Sequence, residues 1–286
     1  MAVCDLHTHS NASDGTALPA ELIAGAKAAG LSAVALCDHN TVAGLPAFLA
    51  AAADSGVEAV PGIEISTEWQ EKELHIVGLF VQPRHYTPLT ALLEEALQCK
   101  ERSNLALVEA LAKDGILLDY AAIKASTPGG QVNRAVLGTA LMEAGYADSV
   151  QDAFSRYLSV KRGYYCPPQR LQALEVIAFL GKLGVVSVLA HPFLSLDEPQ
   201  LRTFLPLAAA AGLDGMEVHY ARHTPEQTEL ARQLADAHGL LHSGGSDYHG
   251  ARKPDISIGT GTGDLRVASQ LLEALRSRAR EKQTDF

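Results

Sequence analysis

The sequence has few cysteines, and none of its four lies in a C-x-x-C pair. Scattered cysteines of this kind are typical of reduced thiols in a cytoplasmic protein rather than of a disulfide-rich secreted one. The chain also lacks an apolar run of the roughly 20 residues that a membrane-spanning helix needs. Its first residues lack the basic and apolar segments of a signal peptide, so we expect a cytoplasmic protein with no membrane partner.

The sequence is also short of positive charge, because 33 acidic residues outnumber 23 basic residues and give a formal net charge of −10. Proteins with a broad duplex-binding face are usually basic, so we expect no duplex nucleic acid partner. A cluster of carboxylates that bind metal ions would contribute to this acidic excess. An anionic substrate would then need those cations, with local arginine and lysine, to offset the overall repulsion.

The predicted elements alternate between strands and helices. Short apolar segments such as 33–37, 58–60, 74–80 and 185–190 predict buried strands, and amphipathic segments such as 19–29 predict helices. This alternation is the pattern of an α/β fold with a parallel sheet. About seven strand–helix units favour a closed or nearly closed barrel, in which functional groups gather at the C-terminal ends of the strands.

The middle of the chain has a different sequence pattern, because no apolar segment typical of a buried strand is evident between about residues 97 and 165. Helical segments separated by glycine and proline breaks fill this region instead. We therefore predict a small helical cap inserted at 97–165. The barrel itself would be discontinuous and formed by residues 1–96 and 166–286.

Histidines and carboxylates follow several of the strand-like runs. His7 and His9 lie two residues apart at the end of the first predicted strand, so their imidazoles point to the same side. Imidazole is the commonest metal ligand in proteins. Further candidates of the same two chemical types lie near the ends of later strands: Asp14, Asp38, His39, Glu64, His75, His191, Asp247 and His249.

Each candidate also has an ordinary structural interpretation. Asp14 could form a turn, and His75 could be a hydrogen-bonded core histidine. Glu64 stands between two isoleucines, where a buried carboxylate needs a cation or a hydrogen-bonded partner. Mixed imidazole and carboxylate ligands suit Mn²⁺, Fe²⁺ or Zn²⁺ rather than Ca²⁺. The number of candidates favours two or three divalent metal ions with a bridging carboxylate.

Five segments together resemble the motifs of the PHP (polymerase and histidinol phosphatase) family. These segments are Asp5-Leu6-His7-Thr8-His9-Ser10, Cys37-Asp38-His39-Asn40, Gly62-Ile63-Glu64-Ile65, Ala190-His191-Pro192 and Gly245-Ser246-Asp247-Tyr248-His249-Gly250. The resemblance covers nearly the whole chain. It implies a distorted (β/α)7 barrel with a trinuclear metal site and metal-dependent phosphatase activity.

The resemblance also implies how the ligands divide among three ions. The first ion would be held by His7, His9, Glu64 and Asp247. Glu64 would bridge to a second ion, whose other ligands would be His75 and His191. The third ion would be held by Asp14, His39 and His249. We expect His191 and Asp247 to be essential for catalysis.

The helical insertion and the segment 212–227 are similar to a narrower branch of this family. Its members are nucleoside 3′,5′-bisphosphate phosphatases, and related enzymes of the branch trim short RNAs from the 5′ end. The resemblance implies that residues 133–136 correspond to a G-R-P-H segment, in which this chain keeps Arg134 and has Val136 instead of histidine. We expect attack of a metal-bridged hydroxide on the 3′-phosphate of a small nucleotide.

Four residues are candidates for contacts with the substrate. Arg134 is the first, because a guanidinium fork matches two oxygens of a second phosphate. Arg102, Lys161 and His223 are the next candidates, although Arg102 and Lys161 could be ordinary solvated residues. His223 could also be a catalytic residue that gives the leaving hydroxyl its proton, with a metal-bound water as an equal candidate.

Three other functions stay open. The chain could be a 5′→3′ exoribonuclease that takes short single-stranded RNA, or a phosphatase of the histidinol-phosphate type. A third possibility, from another class, is a non-catalytic regulatory module that only binds metal. All ligand positions that the resemblance implies are filled in this sequence, which favours an enzyme over the regulatory module.

Overall fold

The computed structural model describes residues 2–127, 132–168 and 170–284. The chain divides into two compact units. Unit 1 is formed by Met1–Thr90 and Leu171–Phe286, and unit 2 by Ala91–Arg170. A search of the described residues found no helix that is long and apolar enough to cross a membrane.

Unit 1 contains an eight-stranded sheet with the strand order β7-β6-β5-β4-β3-β2-β1-β8. Its strands are β1 (Val3–Thr8), β2 (Ala33–Leu36), β3 (Glu58–Trp69), β4 (Lys72–Leu79), β5 (Val186–Leu189), β6 (Gly215–Tyr220), β7 (Leu241–Gly245) and β8 (Val267–Ala268). The sheet closes on itself where the backbone beyond β7 meets β1. The amide of Asp247 donates to the carbonyl of His7 at 2.9 Å, and the amide of His9 donates to the carbonyl of Tyr248 at 2.9 Å. The predicted α/β barrel is therefore confirmed.

The strand directions differ from the predicted parallel sheet. Strands β1, β2 and β3 are mutually parallel, and so are β5, β6 and β7. Strand β4 is antiparallel to both of its neighbours, and β8 is antiparallel to β1. The expectation of a parallel sheet throughout is wrong, because β3 and β4 form a hairpin with no helix between them.

The hairpin exists because β3 continues well beyond the predicted strand 58–60. The backbone runs through Pro61 to Trp69 and then turns at Gln70 and Glu71, whose φ angles are 49° and 64°. Two consecutive positive φ angles are typical of a tight hairpin turn. Gln70 and Glu71 are not the asparagine or glycine residues that usually mark such a turn, so the hairpin was not predicted.

The helices lie between and after these strands. In chain order they are α1 (Pro19–Ala28), α2 (Leu45–Ala52), α3 (Pro83–Lys113), α4 (Tyr120–Ser126), α5 (Arg134–Glu143), α6 (Val150–Ala153), α7 (Ala173–Lys182), α8 (Pro192–Ser195), α9 (Glu198–Ala210), α10 (Pro225–Ala237) and α11 (Ser269–Thr284). Capping boxes begin α9 at Asp197 and α10 at Thr224, each followed by a proline in the first turn. These caps satisfy backbone amides that a helix N-terminus otherwise leaves unpaired.

Each unit has its own apolar core. In unit 1, buried residues of β1, β4 and β5 such as Leu6, Val77 and Val188 belong to one cluster with Leu275 of α11. In unit 2, the core is formed by leucines and tyrosines of the helices and their connections, among them Leu107, Leu111, Leu137, Leu141, Tyr157, Leu158 and Tyr165. The described residues of unit 2 form helices and turns without a strand.

Candidate metal centre

Glu64 on β3 is the residue around which the candidate site is built. Its side chain is fully buried, and its Oε2 atom lies 3.3 Å from Nε2 of His7, 3.3 Å from Nε2 of His9 and 3.1 Å from Nδ1 of His39. His7 and His9 come from the end of β1, and His39 follows β2. One carboxylate oxygen thus faces imidazoles from two neighbouring strand ends.

The other oxygen of Glu64 faces two further histidines. Its Oε1 atom lies 3.0 Å from Nδ1 of His75 on β4 and 2.9 Å from Nε2 of His191, which follows β5. Glu64 therefore contacts imidazoles on both of its oxygens. This is the geometry of a carboxylate that can bridge two cations.

A second cluster forms around Asp14. Its members are His9, Asp14, His39 and His249, whose potential ligand atoms lie within 4.8 Å of one another. The shortest of these contacts joins Asp14 Oδ1 to Nε2 of His249 at 3.3 Å. The Asp14 side chain is 43% exposed, whereas the Glu64 side chain is 0% exposed, so the centre is open to solvent on the Asp14 side.

Asp247 completes the set beside His9. Its Oδ1 atom lies 3.3 Å from Nε2 of His9 and 3.4 Å from Nδ1 of His249. Its Oδ2 atom accepts hydrogen bonds from the Tyr220 hydroxyl at 2.9 Å and from the Lys253 ammonium at 2.6 Å. Oδ1 is therefore the oxygen of Asp247 that faces the histidines.

The structure thus brings together all nine residues that the family resemblance implies as metal ligands. Among the described residues, three groups can hold an ion: His9, Asp14, His39 and His249; His7, His9 and Glu64; and His39, Glu64 and His75. These groups resemble the predicted division of the ligands among three ions. The difference is that the group with Glu64 and His75 contains His39, whereas His191 was predicted there. His9, His39 and Glu64 each belong to two groups, so the sites share ligands.

Buried polar atoms in this centre fit the presence of cations. Within residues 2–127, 132–168 and 170–284, several buried side-chain atoms have no hydrogen-bond partner, and most of them lie here: His7 Nε2, His9 Nδ1 and Nε2, His39 Nδ1, Glu64 Oε2 and His191 Nδ1. Buried polar groups are nearly always paired. Converging imidazole nitrogens and carboxylate oxygens can satisfy this requirement by binding metal ions. The clusters are able to bind metal.

The charges of the centre are strongly coupled. Burial disfavours the charged form of Glu64, but the neighbouring His39, His7 and His75 outweigh it and hold the pKa of Glu64 well below its usual range. Burial likewise opposes protonation of His7, but Glu64 and Glu217 raise the pKa of His7 well above its usual value. For His9 burial dominates and lowers the pKa to about 3.

Two buried aspartates hold the loops that carry the ligands. Asp38 accepts hydrogen bonds from the Ser10 amide at 2.8 Å, the Ser10 hydroxyl at 2.6 Å and the Ser13 hydroxyl at 2.6 Å. Asp5 accepts from the Ser246 amide at 2.9 Å and from the Ser246 hydroxyl at 2.6 Å. Asp38 was a candidate ligand in the sequence, but both of its oxygens bind serine groups here.

Sequence reasoning missed Glu217, which lies buried on β6. Its Oε1 atom is 2.8 Å from Nδ1 of His7, and its Oε2 atom accepts the backbone amide of His191 at 2.6 Å. A signal was present, because Glu217 stands between Met216 and Val218 on an apolar strand. Like Glu64, a carboxylate buried at such a position needs a cation or a hydrogen-bonded partner. Tyr220 and Lys253 were also missed, and their sequence surroundings carry no comparable signal.

His223 lies in the loop that follows β6. Its Nδ1 atom is 3.1 Å from the carbonyl oxygen of Val218, and its ring packs edge-on against Phe193 and Tyr220 with centroid distances of 5.1 and 5.2 Å. Burial lowers the pKa of His223. A neutral ring that donates from Nδ1 presents its Nε2 atom as an acceptor.

The other predicted substrate residues belong to unit 2. The guanidinium carbon of Arg134 lies 4.5 Å from the ring centre of Tyr165 and 5.7 Å from that of Phe154. Arg102 donates to the Cys99 sulfur at 3.0 Å. Lys161 is exposed in a short 3₁₀ turn, Val160–Arg162. Their contact with a substrate stays a prediction.

With this geometry established, comparison with known proteins identifies the family. A model of the PHP domain matches residues 5–166 of the chain. The chain belongs to the PHP family. A relative from Haemophilus influenzae, a 5′-3′ exoribonuclease, is 34% identical over 246 residues, which are 86% of this chain and 89% of that protein. The 3′,5′-nucleoside bisphosphate phosphatase of Chromobacterium violaceum is 29% identical over 262 residues, 91% of each protein.

Two solved structures share the fold. A Bifidobacterium adolescentis protein assigned as a metal-dependent phosphoesterase aligns with a TM-score of 0.72 and 29% identity over 97% of this chain and 96% of that chain. A Chromobacterium violaceum protein described as an amidohydrolase, with bound sulfate and no metal, aligns with a TM-score of 0.73 and 27% identity over 97% of both. This PHP protein is a metal-dependent phosphoesterase.

Proposed function

We propose that the protein is a phosphomonoesterase for small nucleotides, and that its preferred reaction removes the 3′-phosphate of a nucleoside 3′,5′-bisphosphate. One observation carries the phosphomonoesterase assignment: the buried Glu64 carboxylate contacts five imidazoles, with Asp14 and Asp247 beside them. Support for the bisphosphate comes from the relative with that activity, which aligns over 91% of the chain.

The residues that would hold the ions are the nine that the structure brings together. We propose two or three divalent ions, Mn²⁺, Fe²⁺ or Zn²⁺, held by His7, His9, Asp14, His39, Glu64, His75, His191, Asp247 and His249. When bound, such ions polarise phosphoryl oxygens and make water nucleophilic near neutral pH. The metal-ligand types leave the choice among the three metals open.

The chain's own residues determine how a substrate reaches this centre. Asp14 and His39 are its more exposed members, with side chains 43% and 22% exposed, so a phosphoryl group approaches from their side. The Lys253 ammonium, 31% exposed, adds positive charge beside Asp247. A cation at this position attracts an anionic substrate to a protein whose net charge is negative.

In this proposal His223 accepts a hydrogen bond and does not donate a proton. Its Nδ1 atom faces the Val218 carbonyl, and its lowered pKa keeps the ring neutral at pH 7. Its Nε2 atom can then accept a hydrogen bond from a substrate hydroxyl. In this proposal a water molecule, the other candidate from the sequence, supplies the proton for the leaving oxygen.

Arg134 is our candidate for the second phosphate. It begins α5, directly after the N-cap Asn133, and its guanidinium is stacked on Tyr165. A helix N-terminus and a guanidinium both favour phosphate. Hydrogen bonds to charged groups contribute about 1.5–3 kcal/mol, or roughly 10- to 150-fold in binding. Arg134→Ala should lower kcat/KM for the bisphosphate by this factor and leave a 3′-monophosphate nearly unchanged.

The matched control for this test is Arg162→Ala, because Arg162 lies in the same unit and donates to the Ser155 carbonyl at 2.7 Å. The kcat/KM values of Arg162→Ala for the bisphosphate and for the 3′-monophosphate should equal those of the parent enzyme. An equal loss on the two substrates in Arg134→Ala would remove Arg134 from the role. Arg102 and Lys161 can be assigned or dismissed with the same pair of substrates.

A second candidate function is 5′→3′ exoribonuclease activity on short RNA. It is favoured by the Haemophilus influenzae relative, which carries that activity and is 34% identical over 86% of this chain. The experiment compares kcat/KM for adenosine 3′,5′-bisphosphate, a 5′-phosphorylated oligoribonucleotide and histidinol phosphate with the metal-loaded protein. The bisphosphate should be the best of the three. A better oligonucleotide would establish the exoribonuclease instead, and a better histidinol phosphate would establish the third activity.

The non-catalytic alternative is tested in the same assay. Full metal loading without hydrolysis of any phosphoester would favour a regulatory module. We further propose that the protein acts in the cytoplasm, because its four cysteines are free thiols. Cytoplasmic thiols are kept reduced, whereas secreted proteins usually pair them.

A further inference from the structure

Glu217 lies at the junction of two metal ligands that come from different strands. The residue is buried on β6, and its two oxygens bind different partners: the His7 ring and the His191 backbone. We propose that Glu217 is a positioning residue that fixes the tautomer of His7 and holds the backbone of His191. The inference rests on the proposed metal centre, but it concerns the loading of the centre and not the substrate.

The contact with His7 determines which nitrogen of the ring is available. Glu217 Oε1 lies 2.8 Å from Nδ1 of His7, and a carboxylate oxygen can only accept, so Nδ1 must carry the hydrogen. The lone pair of the neutral ring is then on Nε2, the atom that lies 3.3 Å from Glu64 Oε2. A carboxylate behind a histidine commonly orients a metal ligand in this way.

The contact with His191 supports an unusual backbone conformation. His191 has φ 28° and ψ 58°, which is outside the usual regions for a residue with a side chain, and it precedes Pro192. Its amide donates to Glu217 Oε2 at 2.6 Å. With the backbone held there, the His191 ring reaches Glu64 Oε1 at 2.9 Å.

The two contacts together make Glu217 a link between ligands. His7 lies near the end of β1 and His191 follows β5, and their rings contact different oxygens of the Glu64 carboxylate. A single side chain on β6 therefore orients one imidazole through its ring and another through its backbone. Removing one acceptor must disturb at least one of them.

Glu217→Gln separates this role from simple packing, because glutamine has the same shape but only one acceptor oxygen. Two donors face the side chain, so its amide group must oppose either the His191 amide or His7 Nδ1. In the second case His7 would have to move its hydrogen to Nε2, which removes the lone pair that faces Glu64. Either outcome weakens metal binding without deleting a ligand.

The matched control is Asp214→Asn. Asp214 is a buried carboxylate directly before β6, and it binds Ser187, Arg278 and Lys282 rather than a metal ligand. Its loss should lower stability but leave metal affinity unchanged. A general effect of neutralising a buried carboxylate near β6 would appear in both variants.

The experiment measures Zn²⁺ affinity by competition with a chromophoric chelator in the full-length protein, after circular dichroism has verified folding. We expect Zn²⁺ binding to weaken 10- to 100-fold in Glu217→Gln, as is typical for groups that orient a metal ligand. Asp214→Asn should bind as the parent does. Parent-like affinity in Glu217→Gln, or an equal loss in both variants, would overturn the proposal.

A spectroscopic measurement keeps the proposal testable if Glu217→Gln does not fold. In the Zn²⁺-loaded parent protein with ¹⁵N-labelled histidine, His7 should carry its hydrogen on Nδ1, with the signal assigned by its loss in His7→Gln. A hydrogen on Nε2 of His7 would overturn the proposal without any Glu217 variant. Neither measurement uses a substrate, so a wrong bisphosphate assignment would leave this inference intact.

Discussion

Gly245 offers a sharp test of how the barrel closes around the metal centre. It is the last residue of β7, and a Cβ atom added there would lie 2.6 Å from the backbone nitrogen of His7 and 2.9 Å from its Cα atom. Non-bonded carbon atoms prefer separations of about 3.5–4.0 Å. The clash is with backbone, so no side-chain rotation can relieve it. In Gly245→Ala, β7 and β1 must therefore move apart by about 1 Å.

This displacement should affect both stability and metal binding. Overpacking a buried position usually costs about 1–3 kcal/mol, and we expect about 3 kcal/mol because the obstacle is main chain. The same movement would strain the 2.9 Å hydrogen bond from the Asp247 amide to the His7 carbonyl. It would also shift His7 against Glu64, which lies only 3.3 Å from its Nε2 atom.

The assay is urea unfolding in the presence of chelator, followed by Mn²⁺ titration by calorimetry. Gly181→Ala is the matched control, because Gly181 lies in α7 and an added Cβ would meet no atom within 4 Å. This control should be more stable by about 0.5–1 kcal/mol, since alanine is the better helix former. A Gly245→Ala variant with parent-like stability and Mn²⁺ affinity would refute the close packing of β7 against β1.

Three further predictions follow from the site and its surroundings. Asp14→Asn should remove one bound ion per chain by elemental analysis, because Asp14 is the carboxylate of the cluster with His9, His39 and His249. An unchanged ion count would contradict this prediction. Chelation should lower the melting temperature in a thermal scan, since an ion at 1,000 times its Kd stabilises the native state by about 4 kcal/mol; an equal melting temperature would argue against metal loading. Burial and the nearby His242 lower the pKa of His219 in the folded protein. As the pH falls through about 6.5, His219 is therefore protonated in the unfolded chain before it is protonated in the folded protein, and the free energy of unfolding decreases. In urea unfolding between pH 5 and 7.5, His219→Asn should reduce the dependence of the unfolding free energy on pH by at most about 1.4 kcal/mol per pH unit. The same pH dependence in the variant and the parent would contradict this prediction.

Many residues of the candidate site could be predicted because they lie at the ends of predicted strands. Parallel strands bring their carboxyl ends to one rim, which is why His9, His39 and His191 could be expected to meet. His75 is the exception, because it lies near the start of its strand. It joins the others since β4 is antiparallel to both neighbours, and Ser66 of β3 pairs with His75 in register. The β3–β4 hairpin, which was not predicted from the sequence, therefore places His75 beside the other histidines.

Two of the residues that sequence reasoning missed have partners far away along the chain. Glu217 binds groups 210 and 26 positions away, and Tyr220 binds Asp247, 27 positions away. Local periodicity identifies which face of a strand is buried, but it does not say which buried carboxylate faces a metal and which faces a histidine. That distinction needs the order of strands around the barrel, and the sequence alone left that order open.

Asp5 and Asp38 show what the remaining motif carboxylates do. Asp5 on β1 binds the amide and hydroxyl of Ser246, the residue before a ligand at the end of β7. Asp38, which follows β2, binds the amide and hydroxyl of Ser10, the residue after a ligand at the end of β1. Each carboxylate therefore reaches one strand round the barrel and holds the neighbouring strand end with the same pair of hydrogen bonds. Because β7, β1 and β2 are joined in sequence by these contacts, a displacement at one strand end moves ligands at the next. The three candidate ion sites are consequently connected through these backbone contacts as well as through the residues that they share.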